Sequence, residues 1–373
     1  MLQNKIYLNY YIEIFKTFFI IVLGLSLIAL TVRAVNFLEL IVDNGYPVIT
    51  YFQYSFLNLF GIAPKFIPLA FLVSVIYFII KHYNDGEFII LWSSGVKKIQ
   101  LANLLLLSSL GVLIFYIILS VFLTPMALNK SRNLLNQDQL NNFLPTIRVQ
   151  QFSDSFKGFT FFVDNKFDNE IKNIFLHDTG NNLKKFSSNT SNVLSTSIVA
   201  EKGIIDNRVM FLINGQIISS KKEKIEVINF EQLNINLGNL STSTIKVPKL
   251  QETSTFILLS CFLNQSQEYK ICNLETKKEI IPNLIRRLIL PFYIPILSLL
   301  CSFLLIKNNL FLKDKVLIYA ISFFLLVSTE LFIRYTGINY QLKFIYILFP
   351  FILFFILYLS LIYQFKKTHK INE

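Results

Sequence analysis

The sequence predicts a polytopic α-helical membrane protein: six transmembrane helices, three plus three, with an all-β, jelly-roll-like domain inserted between the two sets. Three observations carry this. Hydrophobic residues make up 53% of the 373, including 38 Phe, a balance outside that of ordinary soluble domains. Six runs are long and apolar enough to cross a bilayer, whose core of about 30 Å needs about 20 residues of helix. Between the third and fourth runs the chain turns polar, with apolar residues in period two, the pattern of half-buried strands.

The apolar runs are Thr17 to Val42, Phe52 to Ile80, Ile99 to Leu123, Leu284 to Ile306, Lys315 to Tyr335 and Phe344 to Phe365. No small-residue cleavage site follows the first, which therefore reads as a retained helix. The second contains Gly61, Pro64 and Pro68, tolerated as bends where neighbours resatisfy the freed carbonyls. With the N-terminus inside, the inner segments carry Lys5, Lys16, Lys81, Lys97, Lys98, Lys307, Lys313, Lys315, Lys366, Lys367 and Lys370, and the short outer loops only Arg334 and Lys343. That asymmetry places both termini, and the stretch "YNDGEFIILWSSGVKKIQL" from Tyr83 to Leu101, in the cytoplasm.

The segment from Thr124 to about Ile281 is then external. "GFTFFVDN", "IKNIFLHD", "TSIVAEKGII", "RVMFLINGQIISS" and "KIEVINFEQLNINLG" read as strands, and Asn214-Gly215 as a two-residue hairpin turn. Thr253 to Ile281 is expected to hold one or two short helices. The domain organisation is thus 1–123, 124–250, 251–283 and 284–373.

Composition also excludes. The net charge of +12 comes from scattered Lys and Arg, without the basic helix or zinc-finger spacing of a nucleic-acid binder; basic loops facing an anionic leaflet account for it. Cys261, Cys272 and Cys301 form no CxxC pair, so no metal site is expected. Their odd number reads as incidental cysteines, although Cys261 and Cys272 can pair in an oxidising compartment. His82, His177 and His369 lie in separate regions and no paired carboxylates share a membrane face, which argues against a membrane-embedded enzyme.

The stretch at Tyr83 breaks the apolar texture. Asp85 reads as a helix N-cap, Glu87 as a first-turn acid favoured by the dipole, and Gly95 as the left-handed terminator. Phe88, Leu91 and Trp92 share one face. The helix is too short to span, which leaves an interfacial helix anchored by Trp92 and Lys97-Lys98 or a docking element for a separate subunit. No GxxxxGK[ST] phosphate loop occurs in the chain, so ATP-driven work would be powered by a partner.

This order of three helices, external β domain and three helices resembles the LptF/LptG family, permease subunits of the ABC transporter that exports lipopolysaccharide. The resemblance covers essentially the whole chain. It rests on "DGEFIILWSSGVKKIQL", "GFTFFVDNKFDNEIKNIFLHD", "IVAEKGIIDNRVMFLINGQI" and "IRRLILPFYIPILSL". "TVRAVNFLELIVDNGYPVITYFQYSFLNLFGIAPKFIPLAF" is more similar to the LptF branch, whereas the bulky "LWSS" and short C-terminal tail depart from the common pattern.

The resemblance implies a bacterial inner-membrane permease that extracts lipopolysaccharide and hands it, through a periplasmic β domain, to a bridge protein with its own jelly roll. The implied partners are a second six-helix permease subunit and a cytoplasmic ATPase dimer that uses the ATP; the chain itself binds no cofactor. Glu87 matches the acid that contacts the ATPase, with Phe88, Leu91, Trp92 and Gly95 completing the coupling helix. Arg33 and Asn36, towards the outer end of the first helix, fit a cavity that takes substrate phosphate, to which guanidinium offers paired donors, although Arg33 also suits an interfacial anchor that snorkels to the external surface. Arg286 and Arg287 fit the cavity's rim and Arg334 a contribution to the same site, although Glu330 and Arg334, four apart, also suit an internal ion pair. Phe159, Phe161, Phe211 and Leu212 are candidates for an acyl-chain groove in the β domain. The alternatives are an LptG-type subunit, a paralogue exporting another lipid, a glycolipid-modifying enzyme and a structural scaffold.

Overall fold

The computed structural model describes residues 2–42, 47–141, 149–156, 158–167, 170–179, 193–206, 209–221, 225–236, 249–263, 272, 274–306, 312–338 and 340–372. The chain forms two compact units, Met1–Val32 with Leu57–Asn129 and Val247–Glu373, and Arg33–Phe56 with Lys130–Lys246.

Among the described residues, six helical segments are long and apolar enough to cross a membrane: Lys5–Phe37, Val48–Asn84, Lys98–Leu135, Lys278–Leu305, Lys315–Tyr335 and Gln341–Lys367. They belong to α1 (Leu2–Phe37), α2 (Val48–Asn84), α4 (Lys98–Ile118) with α5 (Thr124–Asn141), α7 (Leu274–Leu288) with α8 (Tyr293–Ser302), α9 (Leu312–Tyr335) and α10 (Tyr340–Asn372), while α3 (Glu87–Ser93) and α6 (Thr255–Phe262) are short. The second to fourth spans are half or more buried and the other three hardly at all. The helical core accordingly centres on Phe71, Phe78, Leu105, Tyr293 and Ile296, with Ile14 and Phe18 of α1 packed onto it.

Three prolines shape this unit. Each lacks an N–H, so the carbonyl four residues earlier loses its helical donor. For Pro64 that carbonyl is Phe60, which accepts the Thr124 hydroxyl at 2.7 Å. For Pro125 it is Val121, which accepts Thr255 Oγ1 at 3.1 Å; here the third span widens into a π turn, Leu119–Leu123, and continues to Asn141 instead of ending at Leu123. For Pro291 it is Arg287, whose carbonyl accepts Ser120 Oγ at 3.4 Å, and a 3-10 turn at Leu290–Phe292 divides the fourth span. Hydroxyls from neighbouring helices thus supply what water cannot supply inside a bilayer.

The expected connector helix is α6, capped by Ser254, whose hydroxyl accepts from the Ile257 N–H. Cys261 is bonded to Cys272, which corrects the reading of these cysteines as incidental. The odd one out is Cys301, buried in α8.

The second unit holds the inserted β domain: β1 (Ser153–Phe156), β2 (Phe159–Phe167), β3 (Glu170–Asp178), β4 (Val193–Asp206), β5 (Val209–Lys221) and β6 (Ile225–Asn236). All neighbours are antiparallel and follow chain order in one sheet. Asn214-Gly215 is not a hairpin turn: β4 gives way to β5 between Asp206 and Val209, and Asn214 lies inside β5 opposite Glu201. The pairing skips Asp164, Asn173, Glu201, Asn214 and Glu231 along one line across the sheet. Asn173 and Asn214 take positive φ there, a conformation Asn tolerates better than other side chains. The inward parity changes at this line, from Met210 and Leu212 to Ile217 in β5 and from Ile171 to Ile174 and Leu176 in β3, yet all six share one core. The sheet therefore bends over its own inner face, as strands do at the corner of a sandwich.

Candidate functional site

A cavity of about 360 Å³ opens in the helical unit, bounded by α2, α4, the start of α5, α7 and α9. The proline sites described above form part of its wall, since Pro64, Ser120, Thr124 and Arg287 all line it. Its cationic side chains are Lys65, Arg286, Arg287 and Arg334, against one acid, Glu330. An excess of positive charge in a pocket of otherwise mostly apolar wall suits an anionic headgroup.

The four cations are not equivalent. Arg286 Nη2 lies 2.9 Å from Glu330 Oε2, so Glu330 pairs with α7 across the cavity and not with Arg334 one turn along its own helix. This corrects the expected Glu330–Arg334 pair. Arg334 is exposed and has no ion-pair partner among the described residues. Arg287 is buried, and its guanidinium donates to the carbonyls of Thr253, Leu250 and Gln251 and to Thr255 Oγ1 at 2.8–3.1 Å. Its four Nη donors are used in tying the segment before α6 to α7, so it shapes the wall instead of offering a rim contact. Lys65 was missed by the sequence reading. The signal was present, a cation between Pro64 and Pro68 in an otherwise apolar span, where charge is expensive and usually functional. Arg33 and Asn36 lie exposed on the last turn and a half of α1, in the other compact unit.

The second candidate site is α3. Gly86, at φ 73°, occupies its N-cap and Asp85 makes no capping bond, so the expected Asp85 cap is replaced by a backbone reversal that only glycine enters without strain. The C-terminus is as expected: Gly95 has φ 90°, and the N–H groups of Val96 and Gly95 reach the carbonyls of Leu91 and Trp92, both at 3.1 Å, in a Schellman arrangement.

The face of α3 differs from expectation. Phe88 and Leu91 are buried in the helical core, and Trp92 stacks on Phe88 beneath the Lys98 ammonium, 4.5 Å from the ring centroid. These residues hold the helix to its own protein. What faces away is Ile89 and Ile90, 63% and 67% exposed. Glu87, at the first position, is tied inward by one oxygen: Glu87 Oε2 lies 2.6 Å from His82 Nδ1 and 3.3 Å from the Tyr10 hydroxyl.

In the β domain, Phe159, Phe161 and Leu212 belong to the buried core, whereas Phe211, opposite Ile204, points to the other face and is half-buried. Adjacent residues of one strand cannot share a face, so the four proposed groove residues divide three to one. No group of three potential metal-ligating side chains occurs among the described residues.

Comparison with known proteins agrees with this architecture. An uncharacterized protein, RP871, of Rickettsia prowazekii (strain Madrid E) is 26% identical over 255 residues, covering 67% of this chain and 68% of its own. The family model for the lipopolysaccharide export system permease LptF/LptG matches residues 10–364, both helical sets and the β domain between them, and the chain belongs to that family.

Proposed function

We propose that this chain is one half of a heterodimeric permease, of LptF type, driven by a cytoplasmic ATPase dimer. It takes lipopolysaccharide from the bacterial inner membrane and passes it through its periplasmic β domain to a bridge protein. The observation that carries the reading is α3. A seven-residue helix between two spans is anchored by Phe88 and Leu91 and turns Ile89 and Ile90 outward, in a chain without a phosphate loop of its own. Exposed isoleucines on a rigidly held helix in an aqueous compartment favour a partner that buries them.

Under this reading, Lys65, Arg286 and Arg334 meet the lipid's phosphorylated headgroup in the cavity, and Arg33 with Asn36 belongs to the same substrate path. The three buried core residues of the β domain line the route for acyl chains once the bent sheet opens, because each methylene left in water costs about 0.8 kcal/mol. Isolation of the tagged chain from its native membrane tests the proposal. An ATPase dimer, a second six-helix subunit and bound lipopolysaccharide are expected together; the chain arriving alone, or with a glycosyl-carrying substrate that it modifies, would overturn it.

A further inference from the structure

We propose that His82 is a positioning residue for the coupling helix: it links Glu13 of α1 to Glu87 of α3, so that the placement of the first transmembrane helix is transmitted to the ATPase contact. The proposal rests on the coupling role assigned to α3 above.

The geometry is specific. His82 closes the last turn of α2 and is only 3% exposed. Its ring sits among Tyr10, Phe78 and Phe88, with centroids 4.8, 4.4 and 5.9 Å away. From that apolar seat its two nitrogens reach two different elements: Nε2 lies 2.9 Å from Glu13 Oε2 and Nδ1 2.6 Å from Glu87 Oε2. Tyr10, three residues before Glu13 on the same face of α1, adds a hydroxyl to Glu87, and Lys81 pairs with the other Glu13 oxygen. Two carboxylate oxygens face both ring nitrogens, so both must donate, or one carboxyl must carry the proton; a neutral imidazole between two carboxylates would set a lone pair against an oxygen.

Packing alone does not ask for this residue. A leucine would fill the gap between Phe78 and Phe88 without burying a polar ring between two acids, an arrangement that is destabilising unless every bond is made. What the histidine adds is a fixed distance between α1 and the first residue of α3. The Glu87 side chain remains 44% exposed, so one carboxylate is held from within by α1 and α2 and is open outward. A shift of α1 against α2 must either move Glu87 or break the link. That is the property a coupling element needs.

The test uses the assembled transporter in liposomes, with lipopolysaccharide released per ATP hydrolysed as the readout. His82→Leu is expected to lower that ratio by about fivefold or more, the lower end of measured couplings between sites, while the ATPase still co-purifies. Glu13→Gln should do the same, and the double variant should be no worse than either single, because both remove one link. His82→Gln, whose single amide nitrogen cannot stand in for both ring nitrogens, replaces Leu if the latter fails to assemble. An unchanged ratio in the His82 variants, or losses that multiply in the double, would overturn the proposal. Ile90→Asp separates it from the reading beneath it: if that substitution leaves the ATPase bound, α3 is not the docking helix. If it releases the ATPase while His82→Leu and His82→Gln are silent, the positioning role alone fails.

Discussion

Replacing Ile89 and Ile90 together by serine should detach the ATPase without harming the fold. Burying a whole isoleucine is worth about 1.5–3 kcal/mol, and 63% and 67% of these two side chains are still uncovered. A partner that covers them gains about 1–2 kcal/mol from each, or about 2–4 kcal/mol for the pair. At 1.4 kcal/mol per tenfold, the double substitution should weaken binding by about thirty- to several hundred-fold. Titration of the purified ATPase against the permease heterodimer in nanodiscs measures this directly, and the melting temperature of the heterodimer should not change. Phe88→Ala is the counterpart. Phe88 is buried among His82, Phe78 and Trp92, so its truncation should cost about 3–5 kcal/mol of stability and affect docking only through loss of the helix. Binding of the double serine variant within about twofold of wild type, the scatter of an inert surface change, would refute the outward face as the docking surface.

Four further outcomes are expected. Arg287→Met should destabilise the helical unit by about 1–3 kcal/mol or more, because buried carbonyls that accept from the guanidinium are left without a donor, and a thermal melt should show it even without lipid. Arg33→Glu should reduce bound lipopolysaccharide more than Arg33→Lys, which keeps a point charge; equal, negligible effects in purified complex would leave Arg33 as an interfacial anchor, and Arg334→Glu should behave as Arg33→Glu does. Photo-crosslinkers at Phe159, Phe161 and Leu212 should give ATP-dependent lipid adducts and one at Phe211 should not; protein adducts alone at all four positions would mean that the lipid does not travel through this domain. Gly215→Ala should destabilise the β domain by about 1–3 kcal/mol, since a Cβ there would lie 2.4 Å from both the Val199 carbonyl and the Phe230 ring; an unchanged melt would refute the close packing at the bend.

The spans were legible because length and hydropathy are summed over some twenty residues, and no single side chain decides them. The strands were legible from period two for the same reason. The site was less so, because it depends on which of several neighbours each side chain meets. Glu330 had a cation four residues along its own helix at Arg334, a spacing that favours pairing on an isolated helix, but Arg286 reaches it from α7. Phe88, Leu91 and Trp92 do form one face of α3, as their spacing indicates. What sequence could not say is whether that face meets a partner or the protein itself; a short helix next to a large core is held by its apolar face, which leaves Ile89 and Ile90 on the exposed side. His82 was passed over because its two acids lie 69 and 5 residues away. The Asn-Gly pair misled for a related reason: positive φ at Asn214 serves a bend within a long strand as well as it serves a turn between two.

The prolines show how local disruption and site formation are one event. Pro64, Pro125 and Pro291 lie in the second, third and fourth spans, the three most buried. Each frees one carbonyl, and the donors that satisfy them, Thr124, Thr255 and Ser120, come from a different segment in every case. Thr255 in turn accepts from Arg287, whose own carbonyl is the one freed by Pro291. The bonds therefore close a brace in which α2 leans on the α4–α5 junction, that junction leans on α6 and α7, and α7 leans back on it. Continuous helices would pack along their whole length through side-chain ridges and close the space between them. Bent helices, locked by hydroxyl-to-carbonyl bonds at the bends, keep a gap on the α9 side, and that gap is the cavity that Lys65, Arg286 and Arg334 line. The same residues that make the apolar runs look imperfect as membrane spans are the ones that hold a cation-lined chamber open within them.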